Sequence, residues 1–91
     1  MKSIEELREE IDRVDKEIIN AIAKRIALIP LVAEAKKKNN IPRYVPEREE
    51  SLLKAKKEIA KSKKINPELI ECIFKRLIEE SHNIERKIMG K

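Results

Sequence analysis

Residues 4–38 read IEELREEIDRVDKEIINAIAKRIALIPLVAEAKKK, and the spacing of the apolar side chains here decides what kind of protein the chain makes. Ile4, Leu7, Ile11, Val14, Ile18 and Ala21, then Leu28, Val32 and Ala35, follow one another in alternating steps of three and four with one slot missing. That is the period of a helix carrying a single apolar seam. The missing slot is occupied by Arg25. Ser3 followed by Glu6 forms a capping box at the start. Nothing ends the helix before Asn39–Asn40; Pro30 should only kink it or remove one hydrogen bond.

Such a helix of about 35 residues is roughly 50 Å long, about twice the ~24 Å breadth of a compact chain of this size. A compact monomer cannot cover it, so the seam calls for a second long helix. The remaining sequence offers only two shorter ones. Pro46 opens a helix to about Ser62, with Leu52, Leu53 and Ile59 on its inner face and Val45 where a polar cap is usual. Asn66–Pro67 is a cap and first-turn proline for a third helix, which runs to about Met89, just before the only glycine, Gly90. The expected fold is all-α: a three-helix chain, one long and two shorter, forming an intertwined helical-bundle homodimer in which the long helices pack on each other.

Composition narrows the function. At 91 residues the chain reads as a single domain, 1–91, near the lower size at which a core suffices without a disulfide, metal or partner. One cysteine, Cys72, excludes an internal disulfide, and one histidine, His82, leaves no zinc cluster; both read as structural residues. No stretch has the apolar length of a membrane span, and the sequence opens on a charged helix rather than a signal peptide, so a cytoplasmic location without a membrane partner is expected. The net charge of +5 suits an anionic ligand. Tyr44 and Phe74 are the whole aromatic content, too little for a base-stacking platform, so nucleic acid is not expected as a partner.

The third helix carries a seam at Phe74, Ile78, Ser81, Glu85 and Ile88. Ser81 and Glu85 interrupt it one turn apart. A buried carboxylate without polar company is costly, so these two need partners. Arg25 in the first seam and Arg48–Glu49 behind an apolar helix start pose the same problem. One explanation covers all of them: a small polar cavity inside a helical bundle. Lys36 belongs to it, since eleven residues from Arg25 is close to three turns and sets both side chains on one face about 16 Å apart, a span that suits a small dianion. The plainer readings are an acid beside Arg25, a solvated lysine run at 36–38, a boundary glutamate at 85, and a serine bonded back to its own helix. The lysines from 54 to 64 read as solvated surface.

Leu7-Arg8-Glu9-Glu10-Ile11-Asp12 with Val14-Asp15, then Arg25, Lys36, Pro46-Glu47-Arg48-Glu49, and Ser81 with Glu85, in that order, resemble the all-helical AroQ class of chorismate mutases over about residues 4 to 88. The resemblance implies an intertwined dimer with two sites that converts chorismate, a small dianion, to prephenate on the route to phenylalanine and tyrosine, without cofactor or metal. Carried over residue by residue, it implies that Arg8 enters the partner's site to bind a carboxylate, while Arg25 holds carboxylate in its own subunit. Lys36 would contact a carboxylate and the ether oxygen, Arg48 would add positive charge, and Glu49 would accept from the ring hydroxyl. Ser81 would assist a carboxylate and Glu85 would face the ether oxygen. Lys36, Glu85 and Arg25 are thus the expected catalytic residues. Arg8 and Arg25 lie about 25 Å apart on one helix, too far to clasp one small ligand from the same chain.

Two positions depart from the family pattern. Val45 stands where the family often has Asp near the ring hydroxyl. At position 85 many relatives have Gln, and a carboxylate donates a hydrogen bond only when protonated. The alternatives are an isochorismate–pyruvate lyase on the same fold, against which Glu49 counts, and, from another class, a basic helical dimer binding nucleic acid electrostatically.

Overall fold

The computed structural model describes residues 1–90 and contains three helices: α1 Ile4–Lys38, α2 Pro46–Ser62 and α3 Pro67–Met89. Most boundaries have the expected local cause; the end of α2 is one for which the sequence offered no stop signal. At the start of α1, the Glu6 amide donates to Ser3 Oγ at 3.1 Å and the Ser3 amide donates to Glu6 Oε1 at 3.3 Å, which completes the capping box. Pro30 sits inside α1 without ending it. At the end of α1, Asn40 adopts a left-handed φ of 55° and the Ile41 amide reaches back to the Lys36 carbonyl at 2.8 Å, a Schellman-type closure that turns the chain sharply. The same device ends α2, with Lys64 at φ 60° and the Ile65 amide bonded to the Ala60 carbonyl at 2.8 Å. No side chain caps α2 at Val45, whereas Asn66 caps α3 by accepting from the Glu68 amide at 3.0 Å.

Helix α3 is the centre of the chain: it packs on α1 and on α2, which do not touch each other. The molecule is drawn out to 57 × 24 × 15 Å with a radius of gyration of 16.6 Å, against about 12 Å for a compact chain of this length. The long dimension is α1. Among the described residues the buried set is Ile29, Ala33, Ala60 and Glu85, and no large side chain is fully enclosed.

The seam expected along α1 is not the stripe that α3 covers. α3 packs where Ile22, Arg25, Ile29, Ala33 and Lys36 lose exposure, whereas Ile4 through Ile18 and Leu28 stay open to solvent, Ile11 being 57% and Ile18 52% exposed. One helix therefore carries two apolar faces, of which this chain covers one. Helix α3 follows its expected seam: Phe74, Ile78, Ser81, Glu85 and Ile88 are all at least half-covered. On α2 the expectation fails at Ile59, which is 49% exposed, while neighbouring Ala60 is buried. α3 is the only helix that α2 touches, and it approaches along the Leu53–Ala60 line, which leaves Ile59 on the flank.

Candidate active site

Where the second half of α1, the α1–α2 loop, the start of α2 and the end of α3 meet, they line a half-open cavity of about 320 Å³. Its floor and walls are apolar, from residues including Ile29, Val32, Ile41, Val45 and Ile78. Onto this surface project Arg25 and Lys36 from α1, Arg48 and Glu49 from α2, and Ser81 and Glu85 from α3. Six of the seven expected site residues therefore meet in one cavity of one chain. Arg8 does not: it is exposed on the second turn of α1, among the uncovered residues.

Helical register explains the convergence. Arg25 and Lys36 share a face of α1 with Ile29 and Ala33, the residues α3 buries, so packing drives both cations inward. Ser81 and Glu85 are one turn apart on the facing stripe of α3. Arg25 Nη1 donates to Ser81 Oγ at 2.7 Å and more weakly to the Leu77 carbonyl at 3.4 Å, and Ser81 donates to the Leu77 carbonyl at 2.9 Å. Ser81 thus bonds back to its own helix and orients Arg25 as well.

Lys36 Nζ lies 3.2 and 3.3 Å from the two oxygens of Glu85 and donates to the Arg43 carbonyl at 2.7 Å. Glu85 is 5% exposed, and this pairing keeps its charge compensated. Arg25 differs. Its nearest partners are a hydroxyl and a carbonyl, and among the described residues no carboxylate lies within ion-pair distance of Arg25 or Arg48. Burial first, and the like charge of Arg48 second, push the Arg25 guanidinium below its ordinary value. These two arginines repel each other, and an anion between them relieves that repulsion. The cavity sets four cations, Arg25, Lys36, Arg43 and Arg48, against two carboxylates, Glu49 and Glu85. The excess of two positive charges is opposite to that of a dianion.

Two residues that the sequence did not point to belong to the same cavity. His82, expected to be structural, lines it and bonds Glu49 Oε2 through Nε2 at 2.6 Å, and Arg43 Nη1 approaches its Nδ1 at 2.5 Å. The signal for His82 was its place three residues before Glu85 on α3, within the same arc of the helix. Arg43 gave no signal, because its position depends on the turn at Asn40. Among the described residues no group of histidine, cysteine and carboxylate side chains is arranged to hold a metal, and no helix is long and apolar enough to cross a membrane.

The family model described as "Chorismate mutase type II" matches residues 7–86. The chain is 40% identical, over 87% of its length, to a protein named T-protein of Enterobacter agglomerans, of which it covers 21%. It is 37% identical, over 96% of its length, to the T-protein of Haemophilus influenzae, of which it covers 23%. A bifunctional chorismate mutase/prephenate dehydratase of Aquifex aeolicus is 37% identical over 97% of this chain and 25% of the relative. The chain thus spans a quarter or less of the length of these curated relatives.

Proposed function

The chain belongs to the type II chorismate mutase family, and from that premise we propose that it catalyses the rearrangement of chorismate to prephenate as one domain, 1–91, of an intertwined homodimer acting in the cytoplasm. The observation that carries this reading is the pair Arg25 and Arg48, two cations without an acid partner among the described residues, on a cavity where a further cation, Lys36, is held ready by Glu85 and the Arg43 carbonyl.

The reaction is a concerted exchange of one carbon–oxygen bond for one carbon–carbon bond, and it needs neither nucleophile nor acid–base pair. It needs a substrate folded so that its enolpyruvyl arm lies over the ring, and a donor where negative charge develops on the ether oxygen. Arg25, steadied by Ser81, takes one carboxylate, and Arg48 adds positive charge beside it. Lys36, roughly 16 Å along the helix from Arg25, takes a carboxylate and donates to the ether oxygen. Glu85 adjoins that donor, and Glu49 accepts from the ring hydroxyl. The apolar walls thin the water around these groups, which strengthens each contact. Arg8 of a second copy adds a further cation to one of these carboxylates from outside the chain. A homodimer joining the uncovered faces of two α1 helices would bring that residue across and bury the apolar residues left open between Ile4 and Ile18.

The test is direct. Incubation with chorismate should remove its ultraviolet absorbance and yield prephenate without pyruvate. Release of pyruvate from isochorismate would assign the protein to the lyases instead, and no reaction with either compound would overturn the reading.

A further inference from the structure

His82 is the one histidine of the chain, and its ring lies between two charged groups. Arg43 Nη1 is 2.5 Å from Nδ1 and Glu49 Oε2 is 2.6 Å from Nε2. A guanidinium only donates, so Nδ1 must accept and Nε2 must carry the proton given to Glu49. Tyr44 meets the ring edge-on, with centroids 5.6 Å apart and planes at 73°, which fixes its tilt. Both the histidine and Glu49 are largely covered, at 17% and 27% side-chain exposure. Arg43 also acts through its backbone, since its carbonyl accepts from Lys36 Nζ at 2.7 Å. A single loop residue therefore sets the lysine at one end of the cavity and, through His82, the glutamate at the other.

Resting on the mutase reading, we propose that Arg43 and His82 are positioning residues for Glu49: they tie up Oε2 and present Oε1 to the ring hydroxyl of the substrate. Among the described residues Oε1 takes no hydrogen bond, so it is open to a donor from the ligand. Val45, the cap position of α2, lines the same cavity and offers no polar side-chain atom. Hydroxyl recognition at this end then depends on how Glu49 is aimed. A carboxylate on a free side chain would spread over its rotamers and lose part of its binding to ordering.

The experiment compares the intact chain with His82→Gln and His82→Asn, using chorismate and an analogue lacking the ring hydroxyl. Gln places an amide N–H near the position of Nε2 and keeps the donor to Glu49. Asn is too short to reach Glu49. The kcat/KM preference for chorismate over the analogue should fall about tenfold in His82→Asn, the worth of one charge-assisted hydrogen bond, and be restored in His82→Gln. Turnover of the analogue itself should be alike in all three, which a merely structural role would not give. Nitrogen-15 NMR of this single histidine provides a readout apart from activity: Nδ1 unprotonated and Nε2 protonated in the wild type, with the Nδ1 resonance shifted in Arg43→Ala, where that nitrogen loses its donor. An unchanged preference in His82→Asn, or a proton on Nδ1 in the neutral ring, overturns the positioning role while leaving the mutase reading intact. A wild type inert to chorismate removes both.

Discussion

The two halves of α1 are built from the same kind of sequence and meet different fates. From Ile22 to Lys36 the helix lies against α3, buries Ile29 and Ala33, and turns Arg25 and Lys36 into a cavity. From Ile4 to Ala21 an equally regular apolar seam has nothing from this chain upon it, and Leu7, Ile11, Val14 and Ile18 stand open. Periodicity alone shows that a helix has an apolar face; what covers that face depends on which other elements reach it. α3, at 23 residues, is too short to follow the 35 residues of α1 along its length, α2 packs on α3 alone, and α3 lies on a stripe displaced by one residue from the seam. The covered half holds the candidate site, and the open half is the larger unmet demand for burial.

The comparison breaks most severely if the open half is indifferent to charge. Val14→Asp with Ile18→Asp should abolish association and activity together, because each carboxylate buried without a partner costs ~3 kcal/mol or more; sedimentation and a chorismate assay read both. A double variant that stays associated and active would remove the dimer interface from this face. On the covered half, Lys36→Ala should lower turnover by about a hundredfold or more, the usual loss on deleting a transition-state donor, with helicity and sedimentation unchanged. Loss of helicity in that variant would make the Lys36–Glu85 pair a structural element first.

A third experiment joins the halves. Arg8→Ala and Arg25→Ala should each be nearly inactive, and refolding an equal mixture should recover about a quarter of the sites, since half the dimers are mixed and each has one intact site. Mixed dimers without recovered activity would place Arg8 outside the site. A smaller change is expected at position 85. Glu85→Gln keeps the shape and supplies a permanent neutral donor, so turnover at neutral pH should rise roughly fivefold, about 1 kcal/mol; no gain would mean that Lys36 alone donates and Glu85 serves to hold it. The smallest effect belongs to the turn after α2. Lys64 sits at φ 60°, where a β-carbon is crowded, and Lys64→Gly should raise stability to thermal unfolding by up to about 1 kcal/mol without touching activity.

Much of this was legible in the sequence because helices declare themselves locally. The Ser3–Glu6 box, Asn39–Asn40, Pro46, Asn66–Pro67 and Gly90 mark both ends of α1 and α3 and the start of α2 by short-range hydrogen bonding and steric limits that need no tertiary contact. The polar interruptions of apolar seams, Arg25, Ser81 and Glu85, were likewise visible as violations of a period. Tertiary structure decided what the period cannot encode. Which of two adjacent stripes on α1 is covered, and why Ala60 rather than Ile59 is buried, depend on the approach of α3, a choice among surfaces of nearly equal apolarity. The Arg43–His82–Glu49 chain joins residues from a loop and two helices through a turn at Asn40. Hydrogen bonds between residues 33 and 39 positions apart leave no repeat in the sequence, and only the packed chain brings such groups within 3 Å.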